Sequence, residues 1–555
     1  MIKLLVTVYL LASISLSSLG QTADNTTRLK SFIKIWGFLK YHHPLIATGN
    51  IDWDSVFVNN AQKIMDSKNP NQFNSVLLNL INSVAKPSKV ELRKLPDSLF
   101  ELNKTDIDWI IKSNTLGDEV KHQLQFIYEN KAMDTNKYIK IIYGTADFSG
   151  EKKYADIGFP DMSYRLLFLS RFWNIINYFA PYKYLATKWD DVLEKFIPKL
   201  IASTDTLSYY TTLQELSKKL NDGHSQLIMN EQTLTDLFFG SYTPPFYCEI
   251  LDGQVFIRNV GNDSIAKSLH IRQGDIVSKI NGKELTKIIA HRKKYISSSN
   301  KADEIHQLSR SILDGQTSKA TLEIKRENKI FQTTINRVST QNRDWGAFIN
   351  YTHNDVGYKK YNDSVLLIYA MQIWDGNIDT IKQLIKQSRY VIFDVRNYPQ
   401  NDAFFLITDP FLSEPKTLDY TTIALPQFPG LFKWKLNANK IGLTSDSAFK
   451  GKVIILCDER TQSQGEYACM VLQTIPGSVT IGSQTAGADG VVTYIPMGGG
   501  LKISYSGYGV YYPDKRQTQQ VGIKIDIPVK KTREAITNNK DEILERAFQY
   551  VKNAK

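Results

Sequence analysis

The sequence predicts a multidomain α+β protein: an N-terminal helical domain, a strand-rich middle module and a C-terminal α/β core. Three observations predict it. An aromatic pattern with helical periodicity occurs twice before residue 202. Short strand-length runs crowd the region from Phe238 to Val338. After Ser364, apolar runs of strand length alternate with amphipathic helices. A chain of 555 residues has room for about three or four domains. Its composition, 42% hydrophobic and 22% charged, is ordinary for a globular protein.

The net charge of +12 comes from lysines and arginines spread along the chain. Without a dense basic block this reads as a solvated basic surface, and no nucleic-acid partner is expected. Residues 1–20 read as a secretory leader. Lys3 supplies the positive start, Leu4 to Leu16 the apolar stretch, and Ser18 and Gly20 the small residues before a cleavage point at Gln21. The mature protein is therefore expected to be exported, periplasmic or secreted. No later run approaches the roughly 18 apolar residues of a membrane span. Cys248, Cys457 and Cys469 are the three cysteines, too few for a disulfide scaffold and at spacings that suit no metal site. No metal or cofactor is expected.

The helical domain, taken as residues 21–235, contains an internal repeat. Arg28-Leu29, Trp36, Tyr41, Pro44 and Trp53-Asp54 recur as Arg165-Leu166, Trp173, Tyr178, Pro181 and Trp189-Asp190, and only the last mark is shifted by one residue. Each copy reads as a helix ended by its proline, followed by a second amphipathic helix, Val56 to Met65 and Val192 to Ile201. The tryptophans are expected to form the core of each hairpin rather than a binding groove. His42 and His43 precede Pro44 in the first copy alone, with no further ligand at metal spacing. The second copy runs on into a helix over Leu213 to Leu220, then Asn221-Asp222-Gly223-His224-Ser225, where Asp222-Gly223 is a turn signal.

Residues 236–340 form the middle module, with strands expected at Tyr247 to Leu251, Gln254 to Val260, Ile276 to Ile280, Ala320 to Arg326 and Lys329 to Ile335. The stretch Gly274-Asp275-Ile276-Val277-Ser278-Lys279-Ile280-Asn281-Gly282 resembles the core motif of PDZ domains. Ile276 and Ile280 anchor the core, and Asn281-Gly282 makes a tight turn. That resemblance implies a PDZ-like domain that takes extended peptides on a sheet edge; a spacer with a blocked groove is the alternative.

In residues 341–555, strands are expected at Ser364 to Met371, Tyr390 to Val395, Lys452 to Cys457 and Val479 to Ile481. The connection from Asn401 to Gly451 is long and reads as a lid or substrate-lining insert. The strand ending at Cys457 leads through a polar break to Ser463, where a helix begins. Backbone N–H groups at a helix start point outward and suit a developing oxyanion. On these residues alone Ser463 is as well explained as a helix cap, with Glu466 completing a capping box.

Ser463-Gln464-Gly465-Glu466, behind an apolar strand and Asp458, resembles the S-x-x-E signature of the tail-specific (C-terminal processing) serine protease family. Asp222-Gly223-His224 ahead of a PDZ-like segment is similar to that family's tricorn-like branch. The resemblance implies a crotonase-like α/β protease core, Ser463 as nucleophile and His224 as general base. It also implies an oxyanion site from the backbone of Gln464 and of the loop after Asp394-Val395-Arg396, at Gln400. The implied substrates are peptides or unfolded chains. The sequence departs from the pattern in places. The family's paired glycines after the Asp-x-Arg strand read Gln400 and Asn401. The lysine of the Ser–Lys branch is missing from Ser483 to Gly490. The serine before the histidine is Gly223, and the late glutamate aligns with Gln519, which remains able to orient the histidine through a hydrogen bond. A catalytically inactive peptide- or ligand-binding protein on the same fold is the alternative that these departures leave open.

Overall fold

The computed structural model describes residues 24–90, 99–101, 107–131, 136–186, 188–260, 263–343, 356–399, 403–408, 411–435, 439–442 and 449–554. The leader expected at residues 1–20 and the oxyanion candidate Gln400 lie outside these residues. No helix among the described residues is long and apolar enough to cross a membrane.

The repeat is built as two helical hairpins. Residues 24–42 pair with Trp53–Asp66, and Met162–Phe179 with Trp189–Ala202. The first helix of each stops short of its proline, because a following proline ring disfavours helical geometry. His43 and Ala180, the residues before Pro44 and Pro181, are both extended. Within each hairpin the two tryptophans exchange hydrogen bonds. Trp36 Nε1 donates to the Trp53 carbonyl (2.9 Å) and Trp53 Nε1 to that of Trp36 (3.0 Å). Trp173 and Trp189 repeat the exchange at 3.0 and 3.2 Å. All four rings are buried, so each indole buries its surface and satisfies its N–H in one contact. Asn174 Nδ2 donates to the Ile33 carbonyl (3.0 Å) and ties one hairpin to the other. His42 belongs to this core: it stacks on Phe38, and its Nδ1 bonds the Phe38 carbonyl.

The middle module is an antiparallel sheet in the order Lys329–Asn336, Lys319–Arg326, Ile276–Ile280, Gln254–Asn259, Tyr247–Leu251. Asn281 (φ 48°) and Gly282 (φ 75°) make the expected turn, which returns Lys283 beside Ile280. The helix Lys301–Ser311 lies along the outer strand Tyr247–Leu251, and the Ile250 N–H donates to Ser309 Oγ (3.0 Å).

The C-terminal core is a six-stranded sheet. Tyr358–Asn362 pairs antiparallel with Val365–Tyr369, and Tyr390–Asp394, Lys452–Cys457, Val479–Gly482 and Ile527–Pro528 follow in parallel. Its central strands are covered on both faces, which is why they read as unbroken apolar runs. Val391, Phe393, Val453 and Ile455 pack under the helices Ile378–Gln387 and Gln464–Gln473. Ile392, Ile454 and Leu456 pack under the closing helix Glu542–Asn553.

Two smaller sheets join distant parts of the chain. The insert supplies Lys416–Ala424, Leu431–Trp434 and Asn439–Ile441, which pair with Leu99–Glu101 and Val510–Tyr511. The second sheet decides the site. Leu227–Met229, the strand after His224, pairs antiparallel with Leu501–Ser506, with Leu501 opposite Met229 and Ile503 opposite Leu227. Ile495, Met497, Ile503 and Tyr505 pack into the helical-domain core with Leu213 and Leu216. This pairing carries the Asp222–Ser225 turn from the helical domain onto the C-terminal core.

Candidate active site

Ser463 sits where the expected strand-to-helix turn forms, between Lys452–Cys457 and Gln464–Gln473. Its backbone has φ 53° and ψ −121°, a region that a residue with a side chain rarely occupies, with a strain of about 1–3 kcal/mol. A sharp, strained strand-to-helix turn is how α/β hydrolases project a nucleophilic serine. Ser463 is half-buried. Its N–H donates to the Ala488 carbonyl (3.0 Å) and to Glu466 Oε2 (3.3 Å).

Glu466 holds this turn. Its side chain is buried and also accepts from Thr485 Oγ1 (2.5 Å), the Gly487 N–H (2.8 Å) and the Ala488 N–H (2.9 Å). Burial pushes its carboxyl up to about 7, and these hydrogen bonds pull the other way. The glutamate of S-x-x-E, expected as a capping-box residue and as part of the family signature, thus bonds the serine's own N–H and three donors of the Thr485–Ala488 loop.

The turn that carries His224 lies beside that same loop at Gly223. A Cβ added at Gly223 would stand 3.2 Å from Gln462 Nε2, 3.1 Å from Ala488 Cβ and 2.7 Å from Asp303 Oδ2. Gln462 precedes Ser463, and Ala488 supplies the carbonyl that binds the Ser463 N–H. The turn before the histidine is therefore in contact with both supports of the serine. Asp303 also explains the departure at Gly223, because a serine there would meet a buried carboxyl. Among the described residues no hydrogen bond joins Ser463 Oγ to His224; such contacts are often long before substrate binds.

The imidazole is oriented by residues that sequence reasoning missed. His224 Nδ1 is 3.0 Å from Ser506 Oγ, and Ser506 Oγ donates to Asp222 Oδ1 (3.0 Å). Asp222 accepts three further bonds, from the His224 N–H (3.0 Å), the Ser506 N–H (2.7 Å) and Gln519 Nε2 (3.1 Å). The expected partner of the histidine, Gln519, thus bonds Asp222 and stands one residue removed from the ring. Burial lowers the His224 pKa, and the Asp222 charge opposes that shift.

Gln464, the residue expected to donate to an oxyanion, is the first residue of the helix. The loop after Tyr390–Asp394 packs on this helix start: Thr461 Oγ1 donates to the Val395 carbonyl (3.1 Å), and Pro399 Cδ lies 3.8 Å from the Cβ position of Gly465. Arg396 clamps the loop through paired bonds to Asp394 (2.9 and 2.6 Å) and to Asp541 (2.7 and 2.8 Å), the cap of the closing helix.

No metal-holding cluster of His, Cys, Asp or Glu exists among the described residues. Cys248, Cys457 and Cys469 are buried free thiols.

Comparison with known proteins agrees with this architecture. Two solved structures of mature CPAF share the fold. The complex with lactacystin aligns at 14% identity and a TM-score of 0.54, over 70% of this chain and 98% of that one. The second aligns at 14% identity and 0.52, over 68% and 94%. The photosystem II D1 C-terminal processing protease aligns at 13% identity and 0.40, over 66% and 93%. No curated protein sequence matches the chain significantly. The family model of peptidase family S41 matches residues 364–529, a span that holds the central strands, the Ser463 turn and Glu466. Over residues 364–529 the chain is similar to peptidase family S41, the tail-specific serine peptidases, which supports a serine peptidase.

Proposed function

We propose that the protein is an exported serine endopeptidase that cleaves peptides or unfolded protein chains through an acyl-enzyme, with Ser463 as nucleophile and His224 as general base. The observation that carries this reading is the seating of the Gly223-His224 turn against Gln462 and Ala488, the two residues that flank or hold Ser463. Neutral His224 takes the Ser463 hydroxyl proton as Oγ attacks the scissile carbonyl, then returns it to the leaving amine. Water repeats the cycle on the ester. Such general acid–base transfer contributes ~10²–10⁴-fold. The Gln464 N–H and the loop that reaches Gln400 are the donors assigned to the oxyanion, and one such donor is worth ~10²–10³-fold in turnover.

Substrate capture is assigned to the PDZ-like module. Its strand Tyr247–Leu251 is the outer strand of the sheet, and a cavity of about 320 Å³ opens beside it, with Phe246, Cys248, Ile312 and Leu313 in its wall. The Ile250 N–H is already bonded to Ser309, so a peptide strand added at this edge must displace that bond or pair beyond it. Export rests on the leader pattern ending at Gly20.

The test is cleavage of an unfolded protein such as reduced casein by wild type, Ser463→Ala and His224→Ala. Activity in the wild type that falls by at least ~10⁴-fold in Ser463→Ala is expected; cleavage that survives Ser463→Ala excludes this serine. N-terminal sequencing of the exported protein should begin at Gln21.

A further inference from the structure

We infer that Asp222 and Ser506 form the orienting relay of the catalytic histidine, so that this chain replaces an acid–imidazole pair with an Asp222–Ser506–His224 chain. The inference rests on the proposed Ser463–His224 chemistry and deepens it.

Hydrogen-bond directions follow from the donor inventory. An ionised carboxylate only accepts, so the contact between Ser506 Oγ and Asp222 Oδ1 uses the serine's single proton. The same oxygen lies 3.0 Å from His224 Nδ1. With its proton committed, Ser506 Oγ can only accept there, so Nδ1 carries the ring hydrogen. The neutral ring's lone pair is then on Nε2, the nitrogen that a general base needs toward its nucleophile. A histidine of the opposite tautomer would meet Ser506 lone pair to lone pair.

The acid is positioned rather than incidental. Asp222 is 5% exposed and Ser506 1%, so neither hydroxyl nor carboxylate is free to turn to solvent. Asp222 is anchored by two backbone N–H groups, those of His224 and Ser506, and by the Gln519 amide. Ser506 is in turn fixed as the end residue of the strand Leu501–Ser506, which pairs with the strand following His224. When Nε2 takes the Ser463 proton, the imidazolium keeps its Nδ1–H bond to Ser506, whose dipole points back along the bond to the Asp222 charge. Ser506 keeps its own proton throughout. The relay stabilises the cation and moves no second proton.

The geometry also accounts for two departures from the family pattern at once. A side chain at Gly223 has no room beside Asp303, and the serine function is supplied instead from the strand that ends at Ser506. Gln519 serves as a donor to Asp222, a role that a glutamate cannot fill. Restoring the family residue by Gln519→Glu should therefore harm the enzyme, by setting a second carboxylate against Asp222.

The experiment measures kcat, KM and pH profiles of the full chain on a peptide it cleaves. Ser506→Ala should lower kcat ~10–100-fold with KM nearly unchanged, and Asp222→Asn ~10²–10³-fold. Asp222→Asn should also move the acidic limb of kcat/KM to lower pH, because Asp222 is the charge that raises the His224 pKa. Asp303, on the neighbouring helix, stays in place as the second nearby carboxyl, and burial pushes it up to about 7. Gln519→Glu should lower kcat at least tenfold. Wild-type kcat in Ser506→Ala, a limb that does not move in Asp222→Asn, or a gain in Gln519→Glu overturns the relay while leaving Ser463 and His224 in their roles. If Asp222→Asn loses its cooperative thermal transition, Ser506→Ala, which removes one hydroxyl, decides alone. Cleavage that survives Ser463→Ala overturns the peptidase reading and the relay with it.

Discussion

Two buried carboxylates organise the two halves of the candidate site, and they differ in how far their donors come. Glu466 accepts from the Ser463 N–H, Thr485 Oγ1 and the Gly487 and Ala488 N–H groups, all within 22 residues of it. Asp222 accepts from the His224 N–H, then from Ser506 and Gln519, which lie 284 and 297 residues away. One holds the proposed nucleophile and the other the proposed base. Each is saturated with donors, as a buried charge must be. The difference is that the first half forms within one strand–turn–helix unit, whereas the second exists only after the helical domain and the C-terminal core share a sheet.

The largest effect that sharpens this contrast is at Glu466. Glu466→Ala strands three donors of the Thr485–Ala488 loop in the interior, and stability should fall by ~3–6 kcal/mol, read as a lower thermal or urea midpoint, with activity lost as the Ser463 turn relaxes. Asp222→Asn keeps shape and most contacts, so its loss should appear in kcat, at ~10²–10³-fold, with a smaller change in midpoint. Equal stability losses at the two positions would erase the distinction. Next comes Gly223→Ser. It forces a side chain against Asp303, Ala488 and Gln462 and should cost about 1–3 kcal/mol without gain of activity; a more active variant would contradict the tight seating of the two loops. The smallest effect is in the pH profile. Burial depresses the His224 pKa, so the imidazole stays neutral to lower pH. The acidic limb of kcat/KM should then lie below the ordinary histidine value of about 6.5, and a limb above it would mean that Asp222 outweighs burial.

The same contrast decides how much was legible in the sequence. The core strands Tyr390–Asp394 and Lys452–Cys457 were readable because both of their faces are buried and the apolar run is therefore continuous. The Ser463 turn and Glu466 were readable because they are neighbours along one helix start. Asp222 was visible as a turn residue next to glycine and as the start of the Asp222-Gly223-His224 resemblance, with no role of its own. Nothing local marks it as an acceptor for Ser506 and Gln519, because strand pairing between Leu227–Met229 and Leu501–Ser506 is set by the packed core rather than by either segment. The insert between residues 401 and 451 is a similar case. Expected as a lid or substrate-lining insert, it contributes strands to a sheet completed by Leu99–Glu101 and Val510–Tyr511, partners that no local pattern announces. The tryptophan repeat was legible, and its reciprocal indole bonds give both hairpins the same buried lock.

The most direct test of the Ser463–His224 pairing is a fluorophosphonate reaction followed by peptide mass mapping. The adduct should appear on the peptide that contains Ser463 in the wild type, and labelling should slow by ~10²-fold or more in His224→Ala. An unlabelled protein, an adduct on a different serine, or a rate indifferent to His224 would contradict the pairing.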